Sequence, residues 1–180
     1  MESNFFDFLQ FKIINEQKVI MKNNCFIIEE TDRLAKLKKI NLVSSSKYDV
    51  LCIKLDNMEK QIGLLKNKIP IVDYLLIVKK ENKLIYIYIE LKSRTVKSQK
   101  IENKKEFSSH YLKYIKEIFL KKNNLKLNTN LKIKERHLVI KYSQNILDYN
   151  STRLFVGKTN YEQISLANNV NFPINKLIEE

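Results

Sequence analysis

The chain has little that bends or punctuates a backbone. Two Gly, two Pro and no Trp occur in 180 residues, so long regular elements and few tight turns are expected. Two cysteines, Cys25 and Cys52, lie too far apart for a metal-ligand pair and are read as reduced, buried thiols. No charged-then-apolar signal segment opens the sequence, and no run of about 18 apolar residues is present to span a bilayer. The expectation is a cytoplasmic protein with no membrane association. Arginine is scarce as well, with Arg33, Arg94, Arg136 and Arg153 set against many lysines.

What is abundant is positive charge. The net charge is +13 and the pI about 9.6, which points to a polyanionic partner, either nucleic acid or an anionic surface. The same excess of Lys, Asn and Ile also follows from AT-rich coding, so charge alone names no partner. The length suits one domain with a sizeable core.

The most ordered stretch is residues 69–94, IPIVDYLLIVKKENKLIYIYIELKSR. Lys80-Glu81-Asn82-Lys83 interrupts two apolar runs and is the expected hairpin turn. With the turn centred between Glu81 and Asn82, Asp73 stands opposite Glu90. Directly opposed residues share a face, with Cβ atoms roughly 4.5–5.5 Å apart. Period-two alternation then puts Asp73, Leu75, Ile77, Tyr86, Tyr88 and Glu90 on one face, with Lys92 at its end. The other face carries Val72, Tyr74, Leu76, Val78, Ile85, Ile87, Ile89 and Leu91 and is expected to pack on a helix.

Elsewhere the signals are coarser. A short helix is expected around Phe5, Phe8 and Leu9, then a strand-like run at 25–28. A helix over 32–40 would be capped by Thr31, with Leu34 and Leu37 facing inward. Strands are expected at 48–55, 133–142 and 154–156, a polar surface segment at 56–68 and a basic loop at 93–103. The strongest helix spans 104–122, with an inward stripe of Phe107, Tyr111, Tyr114, Ile115, Ile118 and Phe119. This order of elements suits an α/β fold, a central mixed β-sheet flanked by helices.

Two acids side by side, with a lysine two residues past the second, suit metal-assisted phosphodiester hydrolysis. Asp73 and Glu90 would hold Mg²⁺, a hard ion that takes oxygen ligands, and the Leu91 carbonyl would add a third. Such an ion polarises the phosphate and activates water. Lys92 would orient that water or stabilise charge on the phosphate. The bland alternative is a surface Glu90–Lys92 ion pair. Against it, Asp73 interrupts an apolar strand, and a buried carboxylate needs a partner.

These residues resemble the PD-(D/E)XK nuclease superfamily. Ile71-Val72-Asp73 stands where that family often has Pro-Asp, with Pro70 three residues before Asp73. Glu90-Leu91-Lys92-Ser93-Arg94 is similar to the run in archaeal Holliday-junction resolvases and several restriction endonucleases. The resemblance covers roughly residues 48–142. It implies a restriction-endonuclease-like αβββαβ core within a single domain of residues 1–180 (core about 30–142), Mg²⁺ or alternatively Mn²⁺ dependence, and DNA as substrate. It also implies a homodimer. By residue it implies metal binding for Asp73 and Glu90 and a catalytic role for Lys92. Many members add an acid from an N-terminal helix. Glu29, Glu30, Asp32 and Glu16 are the candidates, and Glu30 is preferred. Arg94, Lys97, Gln99 and Lys100 follow the motif and, with Lys104, are candidates for gripping phosphates; a solvated loop is the plain alternative.

Three further features carry less. Gly157-Lys158-Thr159 lacks the upstream glycine and following helix of a phosphate-binding loop. His110 and His137 stand alone and read as structural. Tyr86 and Tyr88 either line the site or sit beneath a loop. Two rivals to the nuclease remain: a non-catalytic nucleic-acid-binding protein of the same fold, and a partner-binding subunit of a larger complex.

Overall fold

The computed structural model describes residues 3–12, 17–30, 32–55, 70–81, 83–93, 98–122, 132–144, 155–156 and 161–178. Their elements are α1 (Ser3–Lys12), β1 (Cys25–Glu29), β2 (Lys39–Val43), β3 (Asp49–Lys54), β4 (Tyr74–Lys80), β5 (Lys83–Lys92), α2 (Ser98–Lys122), β6 (Lys132–Tyr142), β7 (Phe155–Val156), β8 (Glu162–Leu166), β9 (Asn171–Pro173) and α3 (Asn175–Ile178). The protein is α/β. A six-stranded mixed sheet runs β3-β4-β5-β6-β8-β7, and a three-stranded one runs β1-β2-β9.

The large sheet starts as an antiparallel meander, β3 to β4 to β5. Helix α2 then crosses over, and β6 returns parallel to β5. The β4–β5 register follows from the turn. Lys80 pairs with Lys83 and Tyr74 with Ile89, and Glu81 takes a left-handed φ of 51°, which suits a two-residue hairpin connection. Asn23, Asn24 and Asn169 also take positive φ. Asparagine is the side chain that tolerates this region best after glycine, so it does here what a glycine-poor chain would otherwise lack.

Each face of the large sheet has its own core. On one, Tyr74, Leu76, Val78, Ile85, Ile87, Ile89 and Leu91 pack with Phe26, Ile28, Ile40 and Leu42 of the small sheet and with Leu177 and Ile178 of α3. On the other, Leu75, Ile77, Leu84, Tyr86 and Tyr88 pack with Phe6 and Leu9 of α1 and with Leu112 and Phe119 of α2. The wholly apolar face of the hairpin is therefore covered by a second sheet, and the long helix covers the acidic face. That reverses the expected packing. The reason lies on α2 itself. Its inward line is Ile101, Ser108, Leu112 and Phe119, all buried, while Phe107, Tyr114 and Ile118 of the expected stripe are 45%, 61% and 45% exposed.

Two further expectations are corrected. The stretch expected as a basic loop at 93–103 is helical from Ser98 onward, where α2 begins. The helix expected over 32–40 is absent, and its last two residues, Lys39 and Ile40, open β2. Residues 32–38 instead form an anchored irregular loop. Asp32 Oδ1 accepts the Leu34 N–H at 2.9 Å, a local turn that competes with helix. Asn168 receives the Lys38 N–H at 2.6 Å and donates to the Lys36 carbonyl at 2.8 Å. Leu37 is fully buried but Leu34 is 77% exposed. The alternation of Ile40 and Leu42 into the core then decides for a strand. Lastly, Arg136 is structural: it forms a bidentate pair with Glu162 at 2.6 and 2.7 Å and donates to the Leu177 carbonyl, tying β6, β8 and α3 together. No helix among the described residues is long and apolar enough to cross a membrane.

Candidate functional site: an acid pair at the end of the hairpin

Asp73 immediately precedes β4, and the observed register carried one step further sets it opposite Glu90. Its backbone and side chain are both used. The carbonyl accepts the Leu55 N–H at 2.9 Å, and Oδ2 accepts the Leu91 N–H at 2.6 Å. Glu90 is almost fully enclosed, with its side chain 2% exposed.

Two ammonium groups meet these acids. Lys92 pairs with Glu90 Oε1. Lys104, from the second turn of α2, places Nζ 2.8 and 3.0 Å from the two Glu90 oxygens and 3.8 Å from Asp73 Oδ1. One cation thus bridges both carboxylates. Burial, and then the charge of Glu90, push the Asp73 carboxyl up to about 7, against the opposing pull of Lys104, the Leu91 N–H and Lys92.

The surroundings are held by named contacts. Ser108 accepts the Val72 N–H at 3.0 Å and donates to the Lys104 carbonyl at 2.6 Å, which registers α2 on the residue before Asp73. The Tyr74 hydroxyl donates to the Glu29 carbonyl at 2.7 Å and accepts its N–H at 2.9 Å, fixing the end of β1 beside the hairpin. Ser93 accepts the Leu37 N–H at 2.8 Å, fixing the 32–38 loop. Together these form an open cleft of about 340 Å³ lined by Glu30, Asp32, Leu34, Ala35, Asp73, Leu91, Lys92, Ser93 and Lys104.

The structure therefore brings together Asp73, Glu90, Lys92 and Lys104, with Leu91 between them. Glu30 lines the cleft, and its Oε1 receives the Asp32 N–H at 3.3 Å. Among the described residues, no three His, Cys, Asp or Glu side chains gather closely enough to hold a metal, so Glu30 does not join the acid pair. Glu29 has its backbone bound to Tyr74, and Gln99 and Lys100 are exposed at the start of α2, away from the cleft lining. Arg94, Lys97, Glu16, Thr31, the 56–68 segment and Gly157-Lys158-Thr159 lie outside the described residues.

Of the remaining features, Tyr86 and Tyr88 are buried beneath α2 rather than exposed to the acid cleft. His137 is buried and stacks on Tyr88, with ring centroids 4.6 Å apart; burial, then Lys105, lower its pKa to about 3. Lys104 is the contact that strand reasoning underrated. Its signal was its place on α2, three residues after buried Ile101 and four before buried Ser108, which turns a lysine inward.

Whether the donors fit a hard divalent ion follows from their chemistry. Two carboxylates converge where the Lys104 ammonium already marks a position that accepts positive charge. A strand residue directs its N–H and C=O to the same edge, so the Leu91 carbonyl lies on the edge from which its N–H reaches Asp73. An all-oxygen set of this kind fits Mg²⁺. No protein-family profile, curated protein or solved structure matches this chain.

Proposed function

We propose that this protein is a Mg²⁺-dependent endonuclease that hydrolyses DNA phosphodiester bonds, built on a PD-(D/E)XK-type core. The observation that carries the reading is that Asp73, Lys92 and Lys104 line one open cleft, with Glu90 enclosed behind the two lysines that pair with it. The topology supports it. A helix, an antiparallel three-stranded meander, a crossover helix and a parallel fourth strand are found in α1, β3, β4, β5, α2 and β6, with the β1–β2 hairpin inserted after α1. The net charge of +13 suits a polyanionic substrate.

In this reading Asp73, Glu90 and the Leu91 carbonyl would hold Mg²⁺, with Mn²⁺ as the alternative. The ion would supply Lewis acidity toward the phosphate and a bound water of lowered pKa. The protein's own groups do the rest. Glu90 holds the Lys92 ammonium at the cleft wall, where that side chain is 32% exposed. From there it can orient water or stabilise charge on the phosphoryl oxygens. The Leu91 N–H fixes Asp73, and Ser93 and Ser108 fix the walls, so the donors are preorganised.

A second reading has one observation in its favour. Two ammoniums already offset the charge of the acid pair, which also suits a silent site on a nucleic-acid-binding protein. A plasmid-cleavage assay with Mg²⁺ separates the two. The nuclease should cut, and Asp73→Ala and Lys92→Ala should not. Cutting that survives both substitutions overturns the site. Salt-sensitive DNA binding without cutting supports the second reading, and neither cutting nor binding supports a partner-binding subunit.

A further inference from the structure

We propose that Lys104 is a resident counter-ion of the acid pair that a divalent metal ion displaces and the substrate phosphate takes up, so that cation and DNA bind this cleft cooperatively. The inference rests on the nuclease reading and deepens it.

Four observations carry it. The Lys104 ammonium reaches both Glu90 oxygens and Asp73 Oδ1, which is the position a bridging metal ion needs. Glu90 is enclosed, and an enclosed carboxylate must be neutralised. Lys92 also pairs with Glu90, so the acid pair carries no uncompensated negative charge with no metal present. Finally, the backbone of Lys104 is anchored through Ser108 to Val72, while its side chain is 24% exposed and lines the cleft. The stem is then the adjustable part, and the ammonium can swing from carboxylate to cleft without moving the helix.

The consequence is competition followed by exchange. An ion entering between the carboxylates meets a positive charge already there, so its affinity without substrate is held down. A phosphodiester in the cleft gives the displaced ammonium a new anionic partner. DNA therefore raises metal affinity, and by linkage the metal raises DNA affinity by the same factor. Its place in the sequence makes Lys104 a candidate for gripping phosphate. The structure puts it on the acids first.

The test measures Ca²⁺ binding to the full chain by calorimetry, with and without a short DNA duplex, and duplex binding by fluorescence anisotropy with and without Ca²⁺. Ca²⁺ is the probe because it takes the same oxygen ligands; a gel on the same samples confirms that the duplex is intact. For the wild type, duplex should tighten Ca²⁺ by about 10-fold or more, within the usual range of coupling between sites. Lys104→Met should bind Ca²⁺ alone about 10-fold tighter than wild type, and duplex should then add less than about 2-fold. Lys104→Arg, which keeps the charge, should retain the coupling. Circular dichroism checks folding, and Lys104→Gln serves in place of the Met variant if that one is unfolded. Equal Ca²⁺ affinity in wild type and variant, or coupling that survives the loss of charge, overturns the proposal and leaves the metal site standing. No divalent binding by any of these proteins, with or without DNA, removes the nuclease reading and the proposal together.

Discussion

The two faces of the β4–β5 hairpin come from the same residues in the same register, yet they are built differently. On one, seven side chains from Tyr74 to Leu91 are apolar or aromatic and lie against a second sheet. The Tyr74 hydroxyl, its one polar atom, is satisfied by Glu29. The other face begins the same way under α1 and α2 with Leu75, Ile77, Tyr86 and Tyr88, and then ends in Asp73 and Glu90. A sheet laid over a face covers its whole length. A helix crosses it at one place, and α2 delivers a lysine rather than a hydrophobe at the acidic end. The difference shows how one hairpin can serve as core and as site: the apolar face and the buried middle hold the register, and that register aims the carboxylates.

The comparison can be broken from either side. The largest effect is expected on the acidic face, where Asp73→Ala should lower the rate of plasmid cutting by about 10³-fold or more, equivalent to about 4 kcal/mol of barrier. A smaller loss would mean that the acid pair is not the centre of the chemistry. On the apolar face, Leu76→Ala should cost about 2–5 kcal/mol of stability by denaturant unfolding, because Leu76 is fully buried. Leu112→Ala on α2 belongs in the same range.

A pH series sharpens the contrast. The folded state holds the Asp73 proton up to about pH 7, whereas a carboxyl in the unfolded chain releases it near its ordinary value of 3.8. Between these values the folded state binds more protons, so without divalent ions stability should fall as pH rises from about 4 to 7. The fall should be a few kcal/mol, roughly 2–4. Asp73→Asn removes the titrating group and should flatten the slope and raise stability at pH 7. A wild-type profile that rises across this window would contradict the placement of Asp73. The smallest effect is expected outside both faces: Tyr114→Ala, at a position 61% exposed, should change stability by no more than about 0.5 kcal/mol.

Much of this was legible in the residues. Lys80-Glu81-Asn82-Lys83 gave the turn, and simple alternation from it gave the pairing register and the membership of each face, except that Val72, which precedes β4, packs with Leu75 and Ile77 on the acidic face instead of with Tyr74. Strand β3 around Cys52, the HLVIKY strand and the short strand at Phe155 were legible as short apolar runs, which are also a local signal. The 32–40 segment was not legible. Its helix-like cap and lysines were overruled by contacts with Asn168 and Ser93, both far away in sequence. Half of the α2 stripe was misjudged, since Tyr111, Ile115 and Phe119 do pack on the core while Phe107, Tyr114 and Ile118 do not: an amphipathic helix rich in aromatics offers more than one apolar line. Which line is inward depends on what it meets.

The sequence by itself determined the hairpin, its register and therefore the approach of Asp73 to Glu90, because a two-residue turn and a period of two leave no other arrangement once the turn is placed. Only the tertiary structure decided which layer covers each face, and that a lysine 14 residues beyond Glu90 would close the acid pair. Those are meetings between elements joined by loops, and they are set by how whole surfaces pack rather than by any pattern within one strand or helix.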